Sequence, residues 1–183
     1  MGLVKVGAIG IPFSTGLRRR RKRACCQCRD GHIASVIAHP WPLGRAHDRS
    51  VRLAILTEFQ ATLFYLHAQL KEFGLLIHTM HGGMSADEMA HSIEKFRVEG
   101  GILLATMAAT RGQEFPSVQS LVLYDLPGNP DVVPLVYARF QPLAGTEPLT
   151  VSILYNLDMA DAAFAKILDK LRHFVADDGT RFS

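Results

Sequence analysis

The sequence predicts an α/β fold in which helices pack on a mostly parallel sheet of five or six strands. Three observations carry that expectation. Ile102-Leu103-Leu104-Ala105 and Leu121-Val122-Leu123-Tyr124 are unbroken apolar runs, as expected of strands buried on both faces. Between such runs the apolar residues recur at helical spacing, as in Met89, Ile93 and Phe96. Short loops rich in glycine or threonine stand at the strand-to-helix junctions, and in an open parallel sheet those junctions share one edge where ligands bind.

The first fifty residues lack periodicity and contain the basic run Arg18-Arg19-Arg20-Arg21-Lys22-Arg23. They are expected to be a disordered basic arm (residues 1–50) ahead of a folded lobe (residues 51–183). Residues 1–52 carry eleven Lys/Arg against two Asp, a net +9, and residues 53–183 carry nine against fifteen Asp/Glu, a net −6. A basic arm on an acidic body is a pattern of contact with nucleic acid or an acidic partner. The three cysteines, Cys25, Cys26 and Cys28, lie in the arm, so no disulfide framework is expected in the lobe and a reducing compartment is indicated. Cys25-x-x-Cys28 with His32, His39 or His47 lacks a second close pair at zinc spacing, and no metal site is assigned. No apolar stretch approaches the roughly 20 residues of a membrane span, and the basic block follows the mildly apolar N-terminus, the wrong order for a secretory signal. The expected location is nuclear in a eukaryote and cytoplasmic otherwise, with a mitochondrial address less favoured.

In chain order, residues 51–56 read as a strand, and Thr57-Glu58-Phe59 turns the chain into a helix whose apolar stripe is Phe59, Leu63, Leu66, Leu70 and Phe73. Gly74 ends that helix, and residues 75–80 form the next strand, a unit of the length of a right-handed crossover. After His81-Gly82-Gly83, Ser85-Ala86-Asp87-Glu88 is a capping box, with Met84 and Met89 placed as a hydrophobic staple. Gly100-Gly101 stops the helix. Thr106 closes the next strand, and Asp125 with a Pro-Gly-Asn-Pro turn closes the one after it. Residues 149–155 read as a last strand, followed by a helix over 159–175 capped by Asp158, with Phe164, Ile167, Leu168, Leu171 and Phe174 on one face.

Four motifs then stand in order: HGGMS at residue 81, EKFR before the glycine pair, ILLAT-x-AA-x-x-G from residue 102, and YDLP-x-NP from residue 124. Together they resemble the second lobe of superfamily 2 helicases, with Swi/Snf-type translocases and their bacterial relatives the nearest group. The resemblance implies a RecA-like (P-loop NTPase-like) fold. It implies nucleic-acid contacts from Thr57 and its neighbour Glu58, from His81, Gly82 and Gly83, and from Thr106. Such loops suit phosphate, because small residues expose backbone N–H groups and a following helix N-terminus favours negative charge. It also implies that Gly112 and Glu114 face a nucleotide, Glu114 standing where the family has Asp or Asn. Counting from Asn129-Pro130, the first nucleotide-facing arginine is Arg139, and the position of the second holds Pro142. Pro134 is expected to interrupt the helix that carries them.

No G-x-x-x-x-G-K-[ST] loop occurs in these residues. The resemblance therefore implies ATP, with Mg2+, bound only together with a first RecA-like lobe that carries the phosphate loop. The expected function is the C-terminal lobe of an ATP-dependent helicase or translocase, with Arg139 the catalytic arginine, nucleic acid as partner with DNA favoured over RNA, no membrane, and negligible ATP turnover by the chain alone. The alternative readings are an inactive nucleic-acid or protein binding module, or a gene fragment.

Overall fold

The computed structural model describes residues 5–11, 52–115, 118–140, 149–156, 165–167 and 169–170. Six strands form one sheet: β1 (Lys5–Ile11), β2 (Arg52–Thr57), β3 (Ile77–Met80), β4 (Gly101–Thr106), β5 (Ser120–Leu123) and β6 (Thr150–Asn156). Their order is β1-β6-β5-β2-β4-β3, and every neighbouring pair is parallel. Among the described residues the helices are α1 (Gln60–Glu72), α2 (Ala86–Glu99) and α3 (Val132–Ala138), with a 3-10 turn at Met107–Thr110 and helical residues at 165–167 and 169–170.

Alternation along β2 divides the core in two. Leu53 and Ile55 join Ile102, Leu104 and Val122 on one face, covered by Leu63, Leu66 and Leu70 of α1. Ala54 and Leu56 join Leu103, Ala105, Leu121 and Leu123 on the other, covered by Ile93 and Phe96 of α2 and by Val133, Val136 and Tyr137 of α3. Successive strand residues point to opposite faces, so a strand covered on both sides must be apolar at every position. The result is the layered α/β fold the sequence predicts.

Two glycines are needed where α2 meets β4. Gly100 and Gly101 have φ of 73° and 88°, a region open to glycine and strained for other residues. A Cβ on Gly101 would also lie 2.6 Å from the Leu76 carbonyl oxygen. The capping box of α2 is complete, the Ser85 hydroxyl accepting from Glu88 N and the Glu88 carboxylate accepting from Ser85 N at 2.8 Å.

Several expectations are corrected. Lys5–Ile11 falls in the stretch read as a disordered arm, yet its backbone pairs with β6 in register from Lys5 opposite Thr150 to Ile11 opposite Asn156. A pairing between segments so far apart in sequence leaves no local periodicity to read, and it covers backbone groups that β6 would otherwise leave open. The α1 stripe is buried only at Leu63, Leu66 and Leu70, because Phe59 and Phe73 are the two caps and are 65% and 57% exposed. Pro134 does not break α3. It sits in the first turn, where the N–H groups have no intrahelical acceptor and a proline costs little. Of the last predicted helix, residues 165–167 and 169–170 are helical and Ile167 is fully buried. Its remaining face, Asp158, Pro142, the three cysteines and the basic run lie outside the described residues.

Candidate functional site

The register of the sheet builds the site. Thr57 at the end of β2 lies opposite Thr106 at the end of β4, and Met80 at the end of β3 lies opposite Ala105. The loops leaving β2, β3 and β4 therefore start level on one rim. The loop after β5 is tied to it, since Tyr124 N donates to Leu56 O at 2.8 Å and Glu58 N donates to Asp125 Oδ2 at 3.2 Å.

The β3 loop is built around His81. Its Nδ1 accepts from Gly83 N at 3.2 Å and lies 2.7 Å from Gln60 Nε2 at the start of α1. The Phe64 ring meets the imidazole edge-on, centroids 5.0 Å apart. A Cβ on Gly83 would come within 2.9 Å of Gln60 Nε2, whereas Gly82 has no atom within 4 Å of where a Cβ would stand. Gly83 thus allows the loop to close on His81, and Gly82 leaves room for a ligand to approach the backbone.

The β4 loop carries the second half of the site. Thr106 is 5% exposed and precedes the 3-10 turn without a capping bond from its side chain. At the end of the turn, buried Thr110 donates its hydroxyl to Met107 O at 2.8 Å and accepts from Arg139 Nη1 at 2.9 Å. The Arg139 carbonyl accepts from Phe115 N at 2.7 Å, and Phe115 stacks on Phe140 at 4.8 Å. The end of α3 is in this way clamped onto the β4 loop. Burial, and secondarily the like charge of Arg111, hold the Arg139 guanidinium below the usual arginine range. Among the described residues no ion pair reaches Arg111 or Arg139.

The register thus sets His81, next after Met80, level with Thr106, next after Ala105, and Gly112 and Glu114 lie in the loop that Arg139 is pinned to. Gly112 needs glycine for its φ of 74°. Glu114 is exposed, and its backbone carbonyl accepts from Arg97 Nη2 at 3.2 Å. The Thr57 side chain is fully buried and its hydroxyl donates to Phe59 O at 3.2 Å, so it shapes the β2 loop from within.

Sequence reasoning missed Gln60, Thr110 and Arg111. Arg111 offered a signal, a lone cation one residue before a loop glycine, but Gln60 and Thr110 become visible only through their partners. Also missed was His78, buried at 6% exposure, with Nε2 donating to Gly100 O at 3.1 Å. Desolvation lowers its pKa below the ordinary 6.5, opposed by the Glu99 carboxylate and that hydrogen bond. Among the described residues no group of three or more His, Cys, Asp or Glu side chains could hold a metal ion, and no helix is long and apolar enough to cross a membrane.

Comparison with known proteins identifies the family and the fold. The family model of the helicase conserved C-terminal domain matches residues 43–139, more than half of the 183 residues. ATP-dependent RNA helicase DBP8 of Kluyveromyces lactis is 37% identical over 67 residues, covering 36% of this chain and 15% of that protein. RNA polymerase-associated protein RapA of Vibrio campbellii is 25% identical over 135 residues, covering 71% of this chain and 14% of that protein. Among solved structures, S. cerevisiae Dbp5 bound to RNA and ADP BeF3 superposes with a TM-score of 0.63 at 16% identity, covering all of this chain and 41% of that one. The C-terminal part of the Fun30 ATPase domain superposes with a TM-score of 0.57 at 12% identity, covering 85% of this chain and 54% of that one. The fold is RecA-like.

Proposed function

Because the chain belongs to the helicase C-terminal domain family, we propose that it is the second lobe of an ATP-dependent RNA helicase. In this reading it grips a single strand with one half of its rim and offers Arg139 to ATP with the other. The choice of RNA departs from the leaning toward DNA drawn from the sequence. It is supported by the names of DBP8 and of Dbp5, the latter solved with RNA. RapA and Fun30 keep the Swi/Snf-like comparison in view, so DNA serves as a control in the test below.

The observation that carries the proposal is a distance along the chain. Thr106 lies level with the His81 loop, and Thr110, four residues later, holds the Arg139 guanidinium at 2.9 Å. One short loop therefore touches both halves of the site. Phosphate oxygens accept hydrogen bonds and need donors, which the Gly82 backbone, His81 and Thr106 supply. ATP would be held chiefly by a first lobe carrying the phosphate loop, and Mg2+ by that lobe and the nucleotide. Arg139 and Arg111 would then face the polyphosphate, where a guanidinium stabilises charge that builds during transfer, an effect worth about 10³–10⁵ in rate for a well-placed arginine. Closure of the lobes would bring nucleotide and strand onto the two ends of one loop, which couples their binding. The chain alone is expected to turn over ATP no faster than a buffer blank.

The test is fluorescence anisotropy with single-stranded oligouridylate and oligothymidylate over a salt series. Binding to the RNA should weaken steeply with salt, and both His81→Ala and Thr106→Ala should weaken it about tenfold, near the value of one hydrogen bond to a charged group. Equal affinity of both variants and the wild type would remove the rim from the account, and a clear preference for the DNA would overturn the choice of RNA. A second reading, a lobe kept only for binding, is favoured by Pro142 at the second arginine position. It is upheld if Arg139→Ala leaves the ATPase of a reconstituted two-lobe enzyme unchanged.

A further inference from the structure

The β3 loop holds more than an exposed histidine. Gly83 N is a backbone amide, able to donate and unable to accept, and it points at His81 Nδ1 from 3.2 Å. That nitrogen must therefore present its lone pair and carry no proton. The Gln60 side-chain nitrogen, 2.7 Å from the same atom, is a second donor onto it. A neutral imidazole has one N–H, and with Nδ1 engaged as an acceptor it can only be Nε2–H. Among the described residues nothing hydrogen-bonds to Nε2. Turning the ring over would bring carbon where two donors now find a lone pair, and the edge of Phe64, 5.0 Å away, limits that motion further.

We propose that Gln60 and Gly83 are positioning groups that lock His81 as the Nε2–H tautomer, so that the rim presents a fixed N–H donor to a phosphate oxygen of single-stranded RNA. The ligand class rests on the RNA reading above, and the tautomer stands apart from it. A phosphate oxygen accepts and never donates, so a ring offering its lone pair outward would repel it while an outward N–H would bind it. The device also explains two residue choices. A Cβ on Gly83 would stand 2.9 Å from Gln60 Nε2 and would push that flexible amide off His81. Gln60, the first residue of α1, spans the gap between the β2 and β3 loops. A long side chain ending in an amide nitrogen can do this, whereas a carboxylate would attract a proton onto Nδ1 and reverse the tautomer.

The test has two arms. Long-range proton–nitrogen NMR on the free chain, at mildly alkaline pH, reads the tautomer without any ligand. Wild type should show an unprotonated Nδ1 and a protonated Nε2 at His81, Gln60→Ala a mixture, and Gln60→Glu a shift toward Nδ1–H. Gln60 is exposed, and thermal melts close to wild type would confirm that both variants fold. In the second arm, anisotropy with single-stranded oligouridylate should show Gln60→Ala binding several-fold more weakly and Gln60→Glu about tenfold more weakly, the loss of one hydrogen bond to a charged group. His81→Gln, whose amide nitrogen reaches the place of Nε2, should retain most of the affinity, and His81→Asn, whose amide reaches only the place of Nδ1, should not. A protonated Nδ1 in the free wild-type chain overturns the proposal. So does a Gln60→Ala protein that binds the RNA as tightly as wild type while His81→Ala does not. A wild-type chain that binds no oligonucleotide but shows the Nε2–H tautomer upholds the lock and overturns the RNA reading instead.

Discussion

Replacing Thr110 by valine should detach Arg139 from the β4 loop, and the structure sets the size of the effect. The side chain is fully buried and its hydroxyl makes two bonds, donating to Met107 O at 2.8 Å and accepting from Arg139 Nη1 at 2.9 Å. The first is neutral and worth about 1 kcal/mol. The second involves a charge and would be worth about 1.5–3 kcal/mol if buried, but Arg139 is partly exposed and water replaces part of the loss. We expect Thr110→Val to cost about 2 kcal/mol in urea unfolding followed by circular dichroism, or roughly 4–8 °C in Tm for a domain of this size. Arg139→Met keeps the apolar stem and removes the guanidinium. If Thr110 holds the guanidinium, the two changes are not additive, and the double mutant should be about 1 kcal/mol more stable than the sum predicts. Additivity within about 0.3–0.5 kcal/mol would refute the reasoning, because Arg139 would then take its position without Thr110.

Two further predictions concern the frame beneath the site. Gly101→Ala should cost about 3 kcal/mol or more, since it joins the strain of left-handed backbone to a Cβ lying 2.6 Å from the Leu76 backbone oxygen. Gly112→Ala, with φ of 74° but open space around the Cβ, should cost only the backbone part, about 1–2 kcal/mol; parallel urea titrations separate the two. The His78 pKa is lower folded than unfolded, chiefly through burial, so the unfolded chain takes up the proton first. Its contribution to stability is intact above the unfolded value near 6.5 and is lost as pH falls below it toward the folded value. The urea midpoint of wild type should therefore drop more between about pH 7.5 and 5.5 than that of His78→Gln, and equal slopes would contradict the assignment.

The parts of the fold that were legible in the sequence are those whose causes are local. The capping box at Ser85 and Glu88 needs only residues three apart, and both of its bonds are present. The apolar runs of β4 and β5 follow from burial on both faces and were readable for that reason. The strand ends and their loops followed, which put His81, Thr106 and Arg139 in play. What stayed hidden depends on where the fold places each residue and on contacts that spacing alone does not show. Thr57 looks like any loop threonine until the Phe59 carbonyl takes its hydroxyl and the sheet buries it. Phe59 and Phe73 continue a helical stripe on paper but stand at its caps, and β1 exists through its pairing with β6. Gln60 and Thr110 acquire roles only from His81 and Arg139, twenty-one and twenty-nine residues away.

The central claim is that the carboxyl ends of β2, β3 and β4 form one surface for a polynucleotide. Amide hydrogen exchange of the chain with and without single-stranded oligouridylate tests it most directly. Slowed exchange at residues 81–84 and 106–112, with residues 74–76 and 99–101 at the opposite edge unchanged, is the result the account predicts. Protection centred on the opposite edge, or spread evenly over both, would contradict it.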